Sequence, residues 1–220
     1  MIKLENSEVF GWAAAIRGMR NPMNSWDKSD SKWDGFGESD GYSVGPNDLA
    51  LMKKLVNAGS DHSKFMRMIN VSVDITAPLY WWKEYDTYKV GTVANSCSTM
   101  HKIHAKEFTL DDFSHEHLFD EKDNSWRWAF ESYLVGLNSA RELYLETNDK
   151  RYWYTIIQLL PSSYNQRRTV QLNYAVLRNI YHARRNHKLT EWHTFCDFIK
   201  QLPYSELITG VQPHPCTTST

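Results

Sequence analysis

Basic and amide side chains that could bind an anionic ligand are concentrated between residues 166 and 188, a stretch with no acidic residue. Its cations are Arg167, Arg168, Arg178, Arg184, Arg185 and Lys188. A helix turns about 100° per residue, so helical geometry would place Asn173 and Arg184 at the ends of one otherwise apolar stripe. Guanidinium groups suit phosphates. The stretch therefore predicts a site for a nucleotide, a flavin pyrophosphate or a nucleic-acid backbone, with a solvated basic face as the alternative.

Metal and thiol chemistry have weaker support in the sequence. The histidine pairs His101-x-x-His104 and His115-x-His117 lack a carboxylate at a familiar zinc spacing, so we predict no metal site. Cys97, Cys196 and Cys216 are widely spaced, and no CxxC motif occurs. This pattern is typical of reduced thiols in a cytosolic protein, and we interpret Cys97 as a small packed residue rather than a nucleophile.

Composition excludes several classes of protein. The chain has 220 residues, of which 41% are hydrophobic and 14% aromatic, so extended disorder is not expected. The net charge of −1 argues against bulk binding of nucleic acid. No run of about 18 apolar residues occurs, and the N-terminus turns polar within a few residues. We therefore expect a cytoplasmic protein with no membrane span and no signal peptide.

The elements needed to position these groups are those of an α+β chain. We predict one domain over residues 1–220, with a loop insertion at 21–46 and a flexible tail at 210–220. The motifs GxGxxG, GxxxxGK[ST], GxSxG and HExxH do not occur. Strands are predicted at 2–5 and 70–75, and helices at 8–20, 49–56, 62–68, 79–85, from 110, and at 124–146, 151–158, 169–187 and 191–201.

Two segments of the chain resemble the flavin-dependent thymidylate synthase family. The dipeptide LP at 160–161 and the later helix are similar to a family pattern in which two Asn six residues apart precede an Arg by five residues. Asn173, Asn179 and Arg184 match this pattern without a gap. The turn GSDHS at 59–63 resembles a family turn whose histidine lies by the flavin. Together the resemblance spans most of the chain.

The stretch TYKVGTVANSCSTMH at 87–101 is similar to the family signature RHRxxSxNExSxRY, with one extra residue. In this register Lys89 takes the place of the last Arg of RHR, and Asn95 and Ser98 match the Asn and the second Ser. The remaining positions differ: Thr87 and Tyr88 replace the first Arg and the His, Ser96 replaces the Glu, and Met100 replaces the later Arg.

The resemblance implies a fold with a central sheet and long helices, and a homotetramer that binds FAD between subunits. It implies a methyltransferase that converts dUMP to dTMP, with NADPH and methylenetetrahydrofolate as co-substrates. Arg184 would be the catalytic residue that contacts the uracil ring. The implied cofactor-binding residues are His62, Lys89, Asn173 and Asn179, and the implied substrate-binding residues are Asn95, Ser98 and Arg184.

Two further functions stay open from the sequence. A divergent relative would bind flavin or nucleotide but lack synthase activity, or modify another pyrimidine. The lost charges at positions 87, 88 and 100 favour weak phosphate binding and low dTMP synthesis, because each charge-assisted contact contributes about 1.5–3 kcal/mol. The third possibility, a nucleic-acid-binding module that uses the basic stretch, fits poorly with the near-zero net charge.

Overall fold

The computed structural model describes residues 2–35, 41–118 and 124–210, which form helices together with a four-stranded sheet and a small hairpin. The strands are β1 (Lys3–Phe10), β2 (Lys32–Trp33), β3 (Tyr42–Ser43), β4 (Asn70–Pro78), β5 (Thr92–Ser96) and β6 (Asn165–Asn173). The larger sheet has the order β1-β4-β6-β5, and β2 pairs with β3 antiparallel, with Trp33 opposite Tyr42. The predicted α+β class is confirmed.

Eight α-helices lie between and after the strands in the described residues. They are α1 (Trp12–Arg20), α2 (Pro46–Asn57), α3 (Leu79–Tyr85), α4 (Ser125–Thr147), α5 (Lys150–Leu159), α6 (Tyr174–Arg184), α7 (Thr190–Gln201) and α8 (Glu206–Thr209). The predictions for α2, α3, α4, α5 and α7 hold to within a few residues. The stretches predicted as helix at 62–68 and from 110 form only short 3-10 turns, at Lys64–Met68 and Leu110–Asp112.

The chain packs as two compact units. The first unit contains Ile75–Thr87 and Asn95–Arg168, and the second contains Leu4–Asp74, Tyr88–Ala94 and the residues from Thr169 onward. The single domain predicted for residues 1–220 stays a prediction.

The core of the first unit lies under α4 and α5. An apolar cluster buries Ile103, Phe108, Phe113, Leu134, Leu137, Ala140 and Ile156. The Asn138 side chain bonds both backbone groups of Phe108, because its Oδ1 accepts from the Phe108 N–H and its Nδ2 donates to the Phe108 carbonyl, each at 2.9 Å. This amide fastens the segment before residue 110 onto α4.

The core of the second unit is built around large aromatic side chains. Trp12, Tyr174, Trp192 and Phe195 are fully buried. The Trp12 and Tyr174 rings meet edge to face at 5.3 Å, and the Tyr174 hydroxyl donates to the Pro203 carbonyl at 2.5 Å. These contacts fix α6 and α7, which carry the candidate site of this unit.

The first strand is longer than predicted, and the first helix begins later. The strand runs to Phe10, and Gly11 adopts φ +98°, which separates it from α1. A Cβ at Gly11 would lie 2.1 Å from the Met68 carbonyl oxygen, so only glycine fits. At Asn6 the strand has φ 51°, and the Asn6 amide donates to Asp74 at 2.9 Å. Since β1 is a sheet edge with few buried residues, its sequence lacks an apolar alternation.

The helix predicted from 169 to 187 is wrong over its first part. Residues 165–173 form β6, and the helix begins only at Tyr174. Gln166, Val170 and Leu172 are the buried residues of the strand, so a polar side chain interrupts its apolar pattern. Asn173 is the N-cap, because its Oδ1 accepts from the Val176 N–H at 3.1 Å. Asn173 therefore precedes the helix whose stripe was predicted to include it.

The predicted loop insertion at 21–46 is fastened by a buried carboxylate. Asp48 has no exposed surface, and its Oδ1 accepts from Arg20 Nε at 2.6 Å. Its Oδ2 accepts from the hydroxyls of Ser29 and Ser31, at 2.7 and 2.6 Å. Arg20 also donates to two carbonyl oxygens of the loop. The central residues 36–40 and the predicted tail from 211 onward lie outside the described residues.

Candidate functional sites on helix α6 and beside Cys97

The turn before β5 passes close to the start of α6. Gly91 has φ +78°, and a Cβ there would lie 3.0 Å from Asn173 Nδ2 and 3.1 Å from Val176 Cγ2. Thr92 closes this turn, because its hydroxyl donates to the Tyr88 carbonyl at 2.5 Å. Residues 88–92, from the stretch that resembles the family signature, therefore lie along α6.

Arg184, at the other end of α6, is held by two aromatic side chains. Its Nε donates to the Tyr88 hydroxyl at 2.8 Å. The guanidinium carbon lies 4.9 Å from the Trp192 ring centroid and 5.5 Å from that of Tyr88. The two rings meet at 69°, with centroids 6.1 Å apart. We call Tyr88 and Trp192 the aromatic corner; it leaves Arg184 half-buried with a defined orientation.

The other predicted residues of the second unit differ in placement. Within α6, Asn179 is turned about 140° in direction from Arg184, because the two residues are five positions apart. Asn179 is exposed on that separate face. Lys89 is exposed next to Tyr88, and His62 is exposed in the turn before the 3-10 helix Lys64–Met68. Asn179 and Arg184 therefore lie on different faces of α6, and Asn173 precedes the helix as its N-cap.

The basic stretch does not form one continuous face. Arg178 is 9% exposed, and its Nη1 donates to the carbonyl oxygens of Leu207 and Ile208, both at 3.0 Å. Burial lowers the pKa of Arg178 from its ordinary value. This arginine fastens α8 to α6, so it has a structural role. Arg185 and Lys188 are exposed.

The predicted substrate-binding residues Asn95 and Ser98 belong to the first unit, and both are exposed. Ser98 Oγ accepts from the backbone N–H groups of Met100 and His101, at 3.1 and 3.0 Å, and lies 2.9 Å from His101 Nδ1. The hydroxyl thus closes a local turn. Cys97, interpreted from sequence as a packed residue, is exposed instead.

A cavity of about 250 Å³ lies beside Cys97 in the first unit. Its lining is strongly polar: Thr76, Cys97, Lys106, Asp111, Asp112, Tyr164, Asn165, Gln166 and Arg167. Gln166 Nε2 donates to the Cys97 carbonyl at 2.7 Å, and Lys106 pairs with Asp112. Burial raises the pKa of the Tyr164 hydroxyl, and the charge of Asp112 acts in the same direction. Such a cavity suits a polar ligand.

The histidine pairs are not arranged as metal ligands. His101 bonds Ser98, and the His104 ring packs edge to face against Tyr144 at 4.8 Å. Across residues 2–35, 41–118 and 124–210, no group of three or more His, Cys, Asp or Glu side chains is placed to hold a metal ion. In the same ranges no helix has the length and apolar character needed to cross a membrane.

Two residues of the α6 site were not predicted from the sequence. Trp192 carries no family motif, and Tyr88 was noted only as the replacement for a histidine. The contact between Tyr88 and Arg184 spans 96 positions, so local spacing does not reveal it. The signal available in the sequence was weak: an aromatic residue eight positions after a candidate arginine, at the start of the next helix.

Comparison with known proteins identifies the fold. A flavin-dependent thymidylate synthase ThyX from Helicobacter pylori, complexed with FAD and dUMP, superposes with a TM-score of 0.65 at 15% identity, over 94% of this chain and 96% of that one. A second H. pylori ThyX structure with FAD and dUMP gives 0.67 at 16% identity, over 95% and 97%. The chain therefore has the ThyX fold, as the sequence resemblance predicted.

A third solved structure widens the range of activities found on this fold. It is the UMP/dUMP methylase PolB from Streptomyces cacaoi bound with 5-Br dUMP, with a TM-score of 0.57 at 13% identity over 91% of this chain and 88% of that one. No family model and no curated protein matches the sequence. Similarity at this level of identity establishes the fold alone.

Proposed function

We propose that the protein is a thymidylate synthase-like methyltransferase that assists, with FAD, one-carbon transfer to C5 of a pyrimidine deoxynucleotide. The observation that carries the proposal is Arg184, held half-buried by Tyr88 and Trp192 on a helix of a ThyX fold. Transfer at C5 builds negative charge on the pyrimidine ring. A fixed guanidinium stabilises that charge without reorganising, because it stays protonated even when partly desolvated.

The residues proposed to hold FAD fit its chemistry. Lys89 and His62 are exposed donors, Asn179 presents an exposed amide, and the Nδ2 of Asn173 lies beside Gly91. Ammonium and amide donors complement the carbonyl and pyrophosphate oxygens of a flavin dinucleotide. When bound, FAD would carry the reducing equivalents that NADPH supplies. The chain's own residues bind and orient, and methylenetetrahydrofolate is the proposed one-carbon donor.

Asn95 and Ser98 are the further proposed contacts to the nucleotide. Both present exposed side chains on either side of Cys97, next to the polar cavity of the first unit. The Ser98 hydroxyl already accepts two backbone bonds, so it would meet a ligand in a fixed orientation. We assign these two side chains to substrate binding.

We also propose a homotetramer. The outer surface of α4 carries large exposed apolar side chains: Trp126 and Trp128 are 62% and 68% exposed, and Val135 and Leu145 are exposed as well. Apolar residues concentrated in this way are typical of surfaces that other protein covers. Sedimentation of the purified chain at micromolar concentration is the test, and a monomer contradicts the proposal.

The proposed activity is tested by turnover of the purified protein with FAD, NADPH, methylenetetrahydrofolate and dUMP. Flavin absorbance at about 450 nm shows whether FAD is bound, and product analysis shows whether dTMP forms. UMP replaces dUMP in a parallel reaction, because the fold also occurs in a UMP/dUMP methylase. If a flavin-loaded sample forms neither methylated product, the proposed methyltransferase activity is contradicted.

A second candidate is a relative that binds flavin or nucleotide without transferring a carbon unit. Specific observations favour it: the Thr87 hydroxyl donates to the Glu84 carbonyl at 2.7 Å, Tyr88 bonds Arg184, and Met100 is a 47% exposed thioether. Three positions that are charged in the family signature therefore offer no charge to a phosphate. Retained flavin absorbance with no product would establish this candidate.

A further inference from the structure

We propose that Tyr88 is a positioning residue for Arg184: its hydroxyl and the Trp192 ring orient the guanidinium toward a bound pyrimidine nucleotide. The inference rests on the proposed function, because it assigns Arg184 to the nucleotide. It goes beyond that function because it assigns a positioning role to Tyr88, which replaces the histidine of the family signature.

The contacts of Arg184 define the orientation of its guanidinium. A guanidinium is planar, so one hydrogen bond at Nε and two ring contacts fix both its plane and its rotation. Arg184 has these contacts: Tyr88 Oη at 2.8 Å, and the two ring centroids at 4.9 and 5.5 Å. The Tyr88 hydroxyl accepts from Nε, the guanidinium nitrogen nearest the aliphatic part of the Arg184 side chain. The guanidinium carries further N–H donors on its two Nη atoms.

Both sides of the aromatic corner are themselves fixed. Trp192 has no exposed surface, and its ring packs edge to face against Phe195 at 6.0 Å. The Tyr88 backbone is tied by Thr92, and Gly91 brings the same turn against Asn173 and Val176. A side chain held by immobile partners loses less conformational entropy on binding a ligand. The corner therefore prepares Arg184 before the nucleotide arrives.

The type of residue at position 88 suits this contact. A charged histidine or arginine at position 88 would repel the guanidinium, whereas a phenol hydroxyl is a neutral acceptor. Tyrosine can therefore contact Arg184 directly and leave its positive charge in place. The role predicts that the hydroxyl, rather than the ring, determines how tightly nucleotide binds.

The experiment compares Tyr88→Phe with Tyr154→Phe, which removes a hydroxyl from an exposed tyrosine of α5 in the first unit. Titration of dUMP into the flavin-loaded protein gives the dissociation constant. We expect Tyr88→Phe to raise that constant about tenfold, since the hydrogen bond from Nε to the Tyr88 hydroxyl is lost. Tyr154→Phe is expected to leave it within about twofold, and flavin absorbance is expected to be equal in both variants. An unchanged dissociation constant in Tyr88→Phe overturns the proposal.

A double-mutant cycle separates failure of the inference from failure of the proposed function. Tyr88→Phe and Arg184→Met are combined, and unfolding in urea is measured without nucleotide. Non-additive effects on the unfolding equilibrium support the contact, and additive effects overturn it. If the parent binds neither dUMP nor UMP, the proposed function fails together with the role toward a nucleotide. The cycle then still decides whether Tyr88 holds Arg184.

Discussion

Arg20 and Arg184 both belong to the second unit, but different kinds of partner hold them. Arg20 is 4% exposed, and a buried carboxylate, Asp48, accepts its Nε at 2.6 Å. Arg184 is half-buried, and its Nε donates to a neutral phenol beside two aromatic rings. Removing one partner of a buried ion pair leaves an uncompensated charge, whereas removing a neutral acceptor does not. The first arrangement stabilises a loop, and the second orients a cation.

The largest effect is expected at the buried ion pair. Asp48→Ala should lower the free energy of unfolding by about 3–5 kcal/mol, because Arg20 and the hydroxyls of Ser29 and Ser31 lose their common acceptor. Urea unfolding measures the change, with Asp27→Ala as an exposed control expected to stay within about 0.5 kcal/mol. A loss below about 1 kcal/mol for Asp48→Ala would show that the buried pair of Arg20 and Asp48 does not stabilise the loop.

The next effect concerns binding rather than folding. Arg184→Ala should weaken dUMP binding by about 10–100-fold, the loss of one charge-assisted contact of about 1.5–3 kcal/mol, while the fold persists. The neighbouring Arg185→Ala is the matched control, because Arg185 is exposed and carries the same charge. Equal affinity in parent and Arg184→Ala would mean that Arg184 serves the structure, as Arg20 does.

A smaller effect is expected where the signature turn meets α6. Gly91→Ala should cost about 1–2 kcal/mol of stability, because an L-residue is strained at φ +78° and its Cβ would press on Asn173 and Val176. The same substitution should weaken dUMP binding several-fold, since the turn also carries Tyr88. Gly136→Ala, in open space on α4, is the control. A variant with parental stability would show that the turn can move away from α6.

The smallest effect is a pH dependence on α6. Burial lowers the pKa of His182 below its ordinary 6.5, and the charges of Arg178 and Arg185 act in the same direction. The unfolded chain therefore binds this proton at higher pH than the folded chain. Stability from this group is complete above pH 6.5 and falls as pH drops through the folded pKa. The urea midpoint of the parent should fall relative to that of His182→Gln as pH drops from 7; a constant difference contradicts the shift.

The fold class and the long helices could be predicted from the sequence, whereas several boundaries of helices and strands could not. Long amphipathic segments such as α4 follow from periodicity, because one face is buried and the other exposed. The boundary between β6 and α6 was missed because only Val170 and Leu172 mark the two-residue period, and Val170 also falls at helical spacing with Tyr174 and Leu177. Asn173 is a residue type that favours the N-cap position, but the residues on both sides of it were predicted to form one helix.

The candidate site could be predicted only in part, because its contacts are non-local. Family spacing supplied Arg184 and Asn173, yet the partner of Arg184 lies 96 positions earlier in the chain. Tyr88 reads as a lost charge when the signature is compared letter by letter, whereas its hydroxyl meets a guanidinium in three dimensions. Asn179 shows the reverse case: its spacing matches the family pattern, but its side chain lies on another face of α6.

The irregular first strand bears on how the protein avoids aggregation. An edge strand offers unpaired backbone donors and acceptors that another chain could extend into a larger sheet. In β1 the left-handed backbone at Asn6 breaks the flat hydrogen-bonding edge, and Lys3, Glu5 and Glu8 add charge along it. An incoming strand would meet a kink and a row of charges within eight residues. The edge is thus protected by its own backbone against growth into intermolecular β-structure.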